Sequence, residues 1–393
     1  MKYASINQLF TIIGGNPAPK GDDAFNSNGL PFVKMKDLGR AHFSNNLIEI
    51  ENRISYEKAE ELNLKIIKKG SILLPRSGSV ALNHRAILGV DAYMVSHICA
   101  LEIIDNSIIN NVYAYYYLRT ISMDRITKKT TGLDAITFED LAKIRIPIPP
   151  LKDQMHIAAI LVRSEKLIAK RKESIKALDE FLKSTFLEMF GDPVRNEKGW
   201  VTYSGNDYSD LLTVGVVIRP ASYYTEKGII ALRSLNIKPN RIDLNNLVFF
   251  SEESSNGVLS KSILKEGDVL IVRTGVTGTA AVVPKELDGV NCIDLIIVRP
   301  KKDMLNPYYL AFLLNSERGK RLVTSKEVGG IQKHFNIGAI KDISFPFPPV
   351  TLQNKFAAIV AKVELMKVKY NESLIEMEKL YGSLSQRAFR GEL

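Results

Sequence analysis

The chain has 393 residues, 45% of them hydrophobic and 24% charged, a composition typical of two to three globular domains that excludes a disordered or collagen-like chain. No run approaches the roughly 18 uncharged apolar residues of a membrane helix, and the first residues lack a signal-peptide layout, so we expect a cytoplasmic protein. The net charge of +10 suits a polyanionic partner such as nucleic acid but does not identify one.

In chain order, short β-rich apolar runs bounded by Gly, Pro or Asn predict strands, and a helix with aromatic residues along one side follows them. A long stretch without proline then predicts a long helix, and the same succession comes a second time. The predicted elements are strands Ser71–Leu74 and Val95–Ile104, helix Val112–Thr120, long helix Lys152–Met189, strands Asp268–Val272 and Ile293–Val298, helix Pro307–Leu314 and long helix Leu352–Leu384.

The chain is an internal duplication. The sequence IPIPPL at 146–151 returns 199 residues later as FPFPPV at 345–350, and the strand-and-turn segment 70–78 returns after 197 residues at 267–275. A repeat of this length predicts two copies of one supersecondary plan. We therefore predict an α+β fold with mixed modules at residues 1–150 and 191–350, each followed by a long helix, at residues 151–190 and 351–393.

Both long helices carry apolar residues at steps of three or four, which is the heptad-like pattern of a coiled-coil seam. Two related amphipathic helices bury such stripes most simply on each other, although a helix packed on its own module would show the same pattern. The seam is predicted at Ile157, Ile160, Leu167, Ile175, Leu178 and Leu182 in the first helix and at Phe356, Ile359, Val363, Met366, Tyr370, Leu374 and Met377 in the second.

The sequence lacks the motifs of several enzyme classes. It has no glycine-rich run ending in Gly-Lys-Ser/Thr, no nucleophile elbow, and no clustered carboxylates or paired histidines suited to a metal, so we expect no cofactor and no metal. Asn306-Pro307-Tyr308-Tyr309 lacks the second proline of an adenine-methyltransferase motif and is interpreted as a helix start. Cys99 and Cys292 are interpreted as small buried residues.

Basic and hydroxyl residues recur in corresponding turns of the two modules. Arg can donate two hydrogen bonds to guanine, Ser or Thr can contact a base edge or a phosphate, and Gly permits close backbone approach. A plain turn with a solvated charge is the alternative for each residue alone. The predicted DNA-binding residues are Lys34, Lys36, Arg76, Ser77, Lys128, Lys129, Thr130, Arg233, Ser234, Arg273, Thr274, Thr277, Gln332, Lys333 and His334.

The succession of module, Pro-Pro helix, module and Pro-Pro helix resembles the specificity subunits of type I restriction-modification systems over essentially the whole chain. The matching segments are PIPPLKDQMHIAAIL with PFPPVTLQNKFAAIV, ILLPRSG with VLIVRTG, and FGD with FRGEL after the long helices. No single motif is specific for the family, and the ordered duplication carries the resemblance.

The resemblance implies a pseudo-twofold, circular arrangement of two target-recognition domains separated by two antiparallel coiled-coil helices. Each domain would read one half of a bipartite, asymmetric site in double-stranded DNA, and the helix length would set the spacer. It also implies that the helices dock two adenine-methylating modification subunits, with ATP-dependent restriction subunits joining the complex. The chain itself would be non-catalytic and would have no membrane partner.

Three alternatives stay open from the sequence. The chain could be the specificity protein of a stand-alone methyltransferase system, which shares this design. It could be a DNA-modifying enzyme fused to its own recognition domain, or a scaffold that uses its helices only for protein assembly. Methyl transfer by the isolated chain would favour the enzyme, and DNA binding that is absent or insensitive to salt would favour the scaffold.

Overall fold

A computed structural model describes residues 2–19, 24–25, 29–41, 46–77, 82–123, 135–325 and 335–393. It divides into two units. The first unit comprises Met1–Arg171 with Ser373–Leu393, and the second comprises Lys172–Glu372. Each of the two long helices therefore contributes one part to the first unit and one part to the second.

The first unit is built around a five-stranded sheet of order β2-β9-β6-β7-β4 and a three-stranded sheet of order β5-β3-β8. Both sheets alternate with short helices, as expected for an α+β module. Its elements are β1 Tyr3–Ser5, α1 Ile6–Leu9, β2 Phe10–Gly14, β3 Leu30–Val33, α2 Met35–Ala41, β4 Asn46–Leu47, β5 Arg53–Ile54, α3 Tyr56–Glu61, β6 Ile72–Pro75, β7 Ala86–Leu88, β8 Tyr93–Met94, β9 Ile98–Ile103, α4 Asn111–Thr120, α5 Phe138–Ala142 and β10 Arg145–Pro147, followed by the long helix α6 Leu151–Phe190.

The second unit repeats this plan with a four-stranded sheet of order β12-β21-β18-β19 and a second four-stranded sheet of order β13-β17-β14-β20. Short 3-10 turns replace some of the helices of the first unit. Its elements are β11 Val201–Tyr203, α7 Gly205–Tyr208, β12 Ser209–Val214, β13 Tyr224–Thr225, β14 Ile229–Leu232, β15 Ile237–Lys238, β16 Arg241–Ile242, β17 Val248–Phe250, α8 Glu252–Asn256, β18 Val269–Val272, β19 Ala280–Val282, β20 Asn291–Cys292, β21 Leu295–Pro300, α9 Pro307–Asn315, α10 Glu317–Thr324, α11 Ile337–Asp342 and β22 Phe345–Phe347, followed by the long helix α12 Val350–Arg390.

The predicted strands and helices are confirmed, with ends that differ by a few residues. The two long helices are longer than predicted, because α6 begins at Leu151 and α12 continues to Arg390. Asn306 caps α9 by accepting a hydrogen bond from the Tyr308 amide, which confirms that Asn306–Tyr309 is a helix start. Cys99 and Cys292 are buried as predicted, and burial raises the pKa of the Cys99 thiol to about 12.

The proline-rich strand before each long helix closes its module. β10 pairs antiparallel with β1, with Tyr3 opposite Pro147, and β22 pairs antiparallel with β11, with Val201 opposite Phe347. The first and last strands of each module thus lie side by side, and the next residues start a long helix. The Pro-Pro pair between strand and helix suits this place, because proline ends strand pairing and presets the backbone for a first helical turn.

A buried glutamine fixes each long helix to its module. The Gln154 side chain is fully buried, accepts a hydrogen bond from the Asn110 amide at 2.9 Å, and donates to the carbonyls of Ile108 and Pro149, both at 2.9 Å. Gln353 is equally buried and makes the same three contacts in the second unit, with the backbone of residues 306, 304 and 348. The amide thus satisfies three backbone groups next to the cap of the preceding helix.

Within each unit the two long helices run antiparallel. In the first unit Glu165 of α6 accepts a hydrogen bond from Tyr381 of α12, and the residues around Ile157 share a core with Ala388. In the second unit Asp179 pairs with Lys367 at 2.8 Å, whereas Phe190, further along α6, packs on Phe356. Residue numbers rise along one helix as they fall along the other, which confirms the predicted antiparallel helices in each unit.

Two residues of the predicted seam lie on the exposed faces of their helices. Leu167 and Met366 are 48% and 42% exposed. Successive side chains on a helix are rotated by about 100°. A seam position assigned one residue too early or too late therefore faces solvent. In α12 the inward position belongs to Lys367, whose stem is covered while its ammonium pairs with Asp179 and Glu364. The other predicted residues are buried or half-buried: Ile157, Ile160, Ile175, Leu178, Leu182, Phe356, Ile359, Val363, Tyr370, Leu374 and Met377.

The helix contacts differ in chemistry between the units. In the first unit the Glu165 carboxylate binds Arg119 and accepts hydrogen bonds from Tyr116 at 2.7 Å and Tyr381 at 2.9 Å. Burial raises the pKa of both phenols, so both remain donors at neutral pH. In the second unit the corresponding place is an aromatic cluster of Phe186, Phe190, Tyr309, Phe312 and Phe356, with ring centroids 4.8–6.3 Å apart.

We predict that Gln154→Leu destabilises the first unit by about 2–4 kcal/mol, because it leaves three buried backbone groups without their partner. Gln353→Leu is expected to cost the second unit a similar amount. The free energy of unfolding, measured by urea denaturation of the full chain, checks this. Gln386→Leu, the same change at an exposed position of α12, is the control and should stay within about 0.5 kcal/mol. Equal stability of all three variants would contradict the role of the buried amides.

We also predict that Glu165→Gln destabilises the first unit by about 2–3 kcal/mol, because Arg119 then loses its carboxylate in a largely buried place. The value is below that of a fully buried pair, since about a fifth of each side chain is exposed. Glu180→Gln removes an exposed pair with Lys183 on the same helix and should cost under about 1 kcal/mol. Thermal unfolding of the two variants compares them directly, and equal losses would refute this role of Glu165.

Candidate nucleic-acid interface

Two turns on neighbouring strands form the same arrangement in each unit. Arg76 follows β6 and Arg273 follows β18, and the paired strands β9 and β21 begin directly after His97 and Asp294. Because β6 pairs with β9 and β18 with β21 up to these ends, each arginine lies beside the residue that precedes the partner strand. The predicted basic turns therefore lie at one end of the central sheet of their unit.

In the first unit the turn combines a guanidinium, a hydroxyl and an imidazole. The Arg76 amide donates to the His97 carbonyl at 2.7 Å, and Ser77 Oγ lies 2.7 Å from His97 Nδ1. The Arg76 guanidinium lies over the ring of Phe138, 4.5 Å from its centroid, which is a cation–π contact. The hydroxyl and the imidazole can each donate or accept a hydrogen bond.

In the second unit a carboxylate takes the place of the imidazole. Arg273 Nη1 donates to Asp294 Oδ1 at 2.7 Å, and Thr274 Oγ1 donates to Asp294 Oδ2 at 3.4 Å. Arg273 Nε also donates to the Phe335 carbonyl at 3.3 Å. The guanidinium is thus held by its neighbours, with 15% of the side chain exposed, whereas 37% of the Asp294 side chain is exposed.

His97 and Asp294 were not among the predicted site residues. A signal for them exists in the sequence, because they are 197 residues apart, as are Arg76 and Arg273. The residue types differ, however, so the match is invisible to a search for similar residues. Only the pairing of the strands shows that they occupy one position.

A second predicted basic pair reaches the same turns. Lys34 follows β3, where the Val33 carbonyl accepts from the Val95 amide at 3.0 Å, two residues before His97. Arg233 follows β14, where the Leu232 carbonyl accepts from the Ile293 amide at 2.8 Å, next to Asp294. The backbone of Lys34 thus lies near the turn of Arg76 and that of Arg233 near the turn of Arg273, while the Arg233 guanidinium donates to the Asn246 carbonyl.

Asp37 and Asn236, each three residues after the basic residue, brace these turns from the inside. Both are fully buried and accept a hydrogen bond from the backbone amide of the preceding basic residue, at 2.8 Å from Lys34 and 2.9 Å from Arg233. The Lys34 ammonium itself donates to Asn52 Oδ1 at 2.9 Å. The buried partner holds the backbone from which each cation extends.

The remaining predicted residues divide into three groups. Lys36 is exposed and paired with Glu51, and the hydrogen bonds from Lys36 and Arg40 lower the pKa of Glu51 to about 2. Ser234 is half-buried at the start of a 3-10 turn, whereas Thr277 is 4% exposed, so the structure contradicts its predicted DNA contact: a nucleic acid cannot reach it without local opening. Outside the described residues lie Lys128, Lys129, Thr130, Gln332, Lys333 and His334.

The residues that the structure describes form neither a metal site nor a membrane-spanning helix. Among them no three His, Cys, Asp or Glu side chains group in a way that could hold a metal ion. None of the helices in the described parts of the chain is long and apolar enough to span a membrane.

Comparison with protein families matches residues 1–178 and 250–377 to the type I restriction modification DNA specificity domain. The two matched stretches take in most of both units. They include Arg76, Ser77 and His97 in the first unit and Arg273, Thr274 and Asp294 in the second.

Individual relatives show the same similarity. The type I restriction enzyme MjaVIII specificity subunit of Methanocaldococcus jannaschii is 24% identical over 324 residues, covering 78% of this chain and 75% of the relative. The EcoKI specificity subunit of Escherichia coli K12 is 23% identical over 434 residues, covering 99% of this chain and 88% of the relative. The crystal structure of the S subunit of a type I restriction-modification system from M. genitalium matches with a TM-score of 0.57 at 14% sequence identity. The match covers 99% of this chain and 96% of that structure.

Proposed function

Because this chain belongs to the family of type I restriction-modification DNA specificity proteins, we propose that it directs such a complex to a bipartite, asymmetric DNA site. Each of two recognition domains, residues 1–150 and 191–350, reads one half of that site. The observation that carries this proposal is the turn of two basic residues and a hydroxyl, built twice at the same strand ends. Arg, Lys, Ser and Thr are the side chains that contact base edges and phosphates.

The two domains carry different residues at these turns, which supports two different half-sites. The first presents Lys34, Arg76 and Ser77, and the second presents Arg233 and Thr274. A single chain with two unlike reading surfaces recognises a sequence without twofold symmetry. The net charge of +10 supports attraction to the DNA backbone in addition to any base contact.

We propose that the long helices set the spacer between the half-sites and dock two adenine-methylating modification subunits. The antiparallel contacts in each unit support a rigid pair, and both helices leave large apolar side chains uncovered. Those at least half exposed in the described chain are Met155, Phe181 and Leu187 on α6 and Leu365, Val368, Ile375 and Leu380 on α12. Exposed apolar side chains along a helix pair suit a protein partner.

In this proposal the chain is a non-catalytic subunit that acts in the cytoplasm. Methyl transfer belongs to the modification subunits and DNA cleavage to ATP-dependent restriction subunits. If only modification subunits copurify with the chain, it serves a stand-alone methyltransferase system.

Methylome sequencing of the source genome, before and after deletion of this gene, tests the proposed function. We expect N6-methyladenine to disappear from one bipartite motif, and the motif to return when the gene is supplied again. Persistence of every methylated motif, in cells that transcribe the modification gene, would contradict the proposal. Complementation with an Arg76→Ala chain is the informative variant and should relax only one half of the motif.

The spacer role predicts the effect of a paired insertion. One heptad placed after Arg171 in α6 and one after Glu372 in α12 adds about 10 Å to both helices and keeps the contacts inside each unit. We expect the preferred spacer to lengthen by about three base pairs, since base pairs rise about 3.4 Å. A heptad in α6 alone is the control, because it mismatches the helices and should weaken assembly. An unchanged spacer with the paired insertion would show that the helices do not set it.

A further inference from the structure

The turns of the two units differ most in the residue that faces the arginine and the hydroxyl. In the first unit that residue is His97, and in the second unit it is Asp294. Both immediately precede a central strand, both contact the hydroxyl that follows the arginine, and the rest of the turn is built from matching residues. The two turns thus share one backbone arrangement and differ in the side chain at this position.

The conformation and exposure of Asp294 allow its carboxylate to do more than hold Arg273 in place. Its backbone has φ 50°, the left-handed conformation that Asp and Asn tolerate best among residues with a side chain, and its amide donates to the Val216 carbonyl at 3.1 Å. This conformation directs the carboxylate to Arg273 and Thr274, while more than a third of the side chain stays exposed. A carboxylate has about four acceptor sites, so it can accept a further hydrogen bond from outside.

The Arg273–Asp294 pair therefore places an acceptor beside the guanidinium N–H groups that the bonds to Phe335 and Asp294 leave over. In the major groove a C·G pair presents the same pattern in reverse, because cytosine N4 donates while guanine O6 and N7 accept. A phosphate, by contrast, would be repelled by the carboxylate. The chemistry of this pair favours a base pair over the DNA backbone.

The first unit lacks this acceptor. Arg76 lies on the Phe138 ring and has no ion pair with any carboxylate of the described residues. His97 and Ser77 bond to each other and leave the guanidinium as a donor group only. This turn has no carboxylate to bind a cytosine amino group, and its only charged group is a donor, which suits guanine or a phosphate.

We propose that position 294, and the corresponding position 97, determine base specificity. Asp294 accepts a hydrogen bond from the amino group of a cytosine in the half-site of the second unit, and Arg273 contacts the paired guanine. His97 removes that preference from the first unit. This inference rests on the proposed function of the chain in reading two half-sites.

The test uses the full chain assembled with its modification subunits and a DNA library randomised in both half-sites. Asp294→Asn keeps the left-handed conformation but removes the carboxylate, and it should lower the preference for one C·G pair about 5- to 150-fold, in one half-site only. Asp303→Asn, at an exposed position of the same unit, changes the net charge equally and should leave every preference unchanged. The reciprocal His97→Asp should create a new C·G preference in the other half-site.

Each result decides between distinct conclusions. Loss of one base preference with Asp294→Asn, together with a gain with His97→Asp, supports the proposal. If the wild-type complex selects a bipartite site and Asp294→Asn affects all sequences alike or none, this assignment is wrong and the proposed function stands. If the wild-type complex selects no sequence at all, the proposed function fails and the assignment fails with it.

Discussion

Each long helix carries in its first turn a glutamine whose amide is enclosed by the backbone of its own unit. Gln154 and Gln353 each satisfy two carbonyls and the amide of the residue that caps the preceding helix. Because a buried backbone group without a partner is costly, the helix, the proline-rich strand and the capped helix can meet in one geometry only. The place at which each long helix leaves its unit depends on this joint.

The two units fasten α6 to α12 by different sets of contacts, although the second unit also has an ion pair of its own between Asp179 and Lys367. Glu165 gathers Arg119, Tyr116 and Tyr381 around one carboxylate, whereas the second unit stacks aromatic rings around Phe356. A polar joint tolerates little displacement, because a shift of one residue would leave a charge without its partner. An aromatic joint contributes buried apolar area, and its ring pairs prefer stacked or edge-to-face geometries. The duplicated chain thus keeps one fold while its two helix joints remain chemically distinct.

The turns after β6 and β18 show how a repeat can change one side chain without losing its backbone geometry. The strands, the buried braces Asp37 and Asn236 and the basic residue after each strand are shared. What differs is the neighbour across the strand pair, His97 or Asp294. The side chain in this position changes what the arginine contacts within its unit, from the Phe138 ring to the Asp294 carboxylate, while both pairs of strands keep their hydrogen bonds.

The sequence alone determined the duplication, both long helices, the strands at the centre of each sheet and the basic turns, because these follow from local periodicity, proline placement and repeated residues. It missed that Arg273 is held by Asp294, that Thr277 is buried, and that Lys367 rather than Met366 faces the partner helix. Those features depend on which residues distant in the chain become neighbours. Only the tertiary structure decides them, because strand register and the phase of a helix seam are set by contacts across the unit.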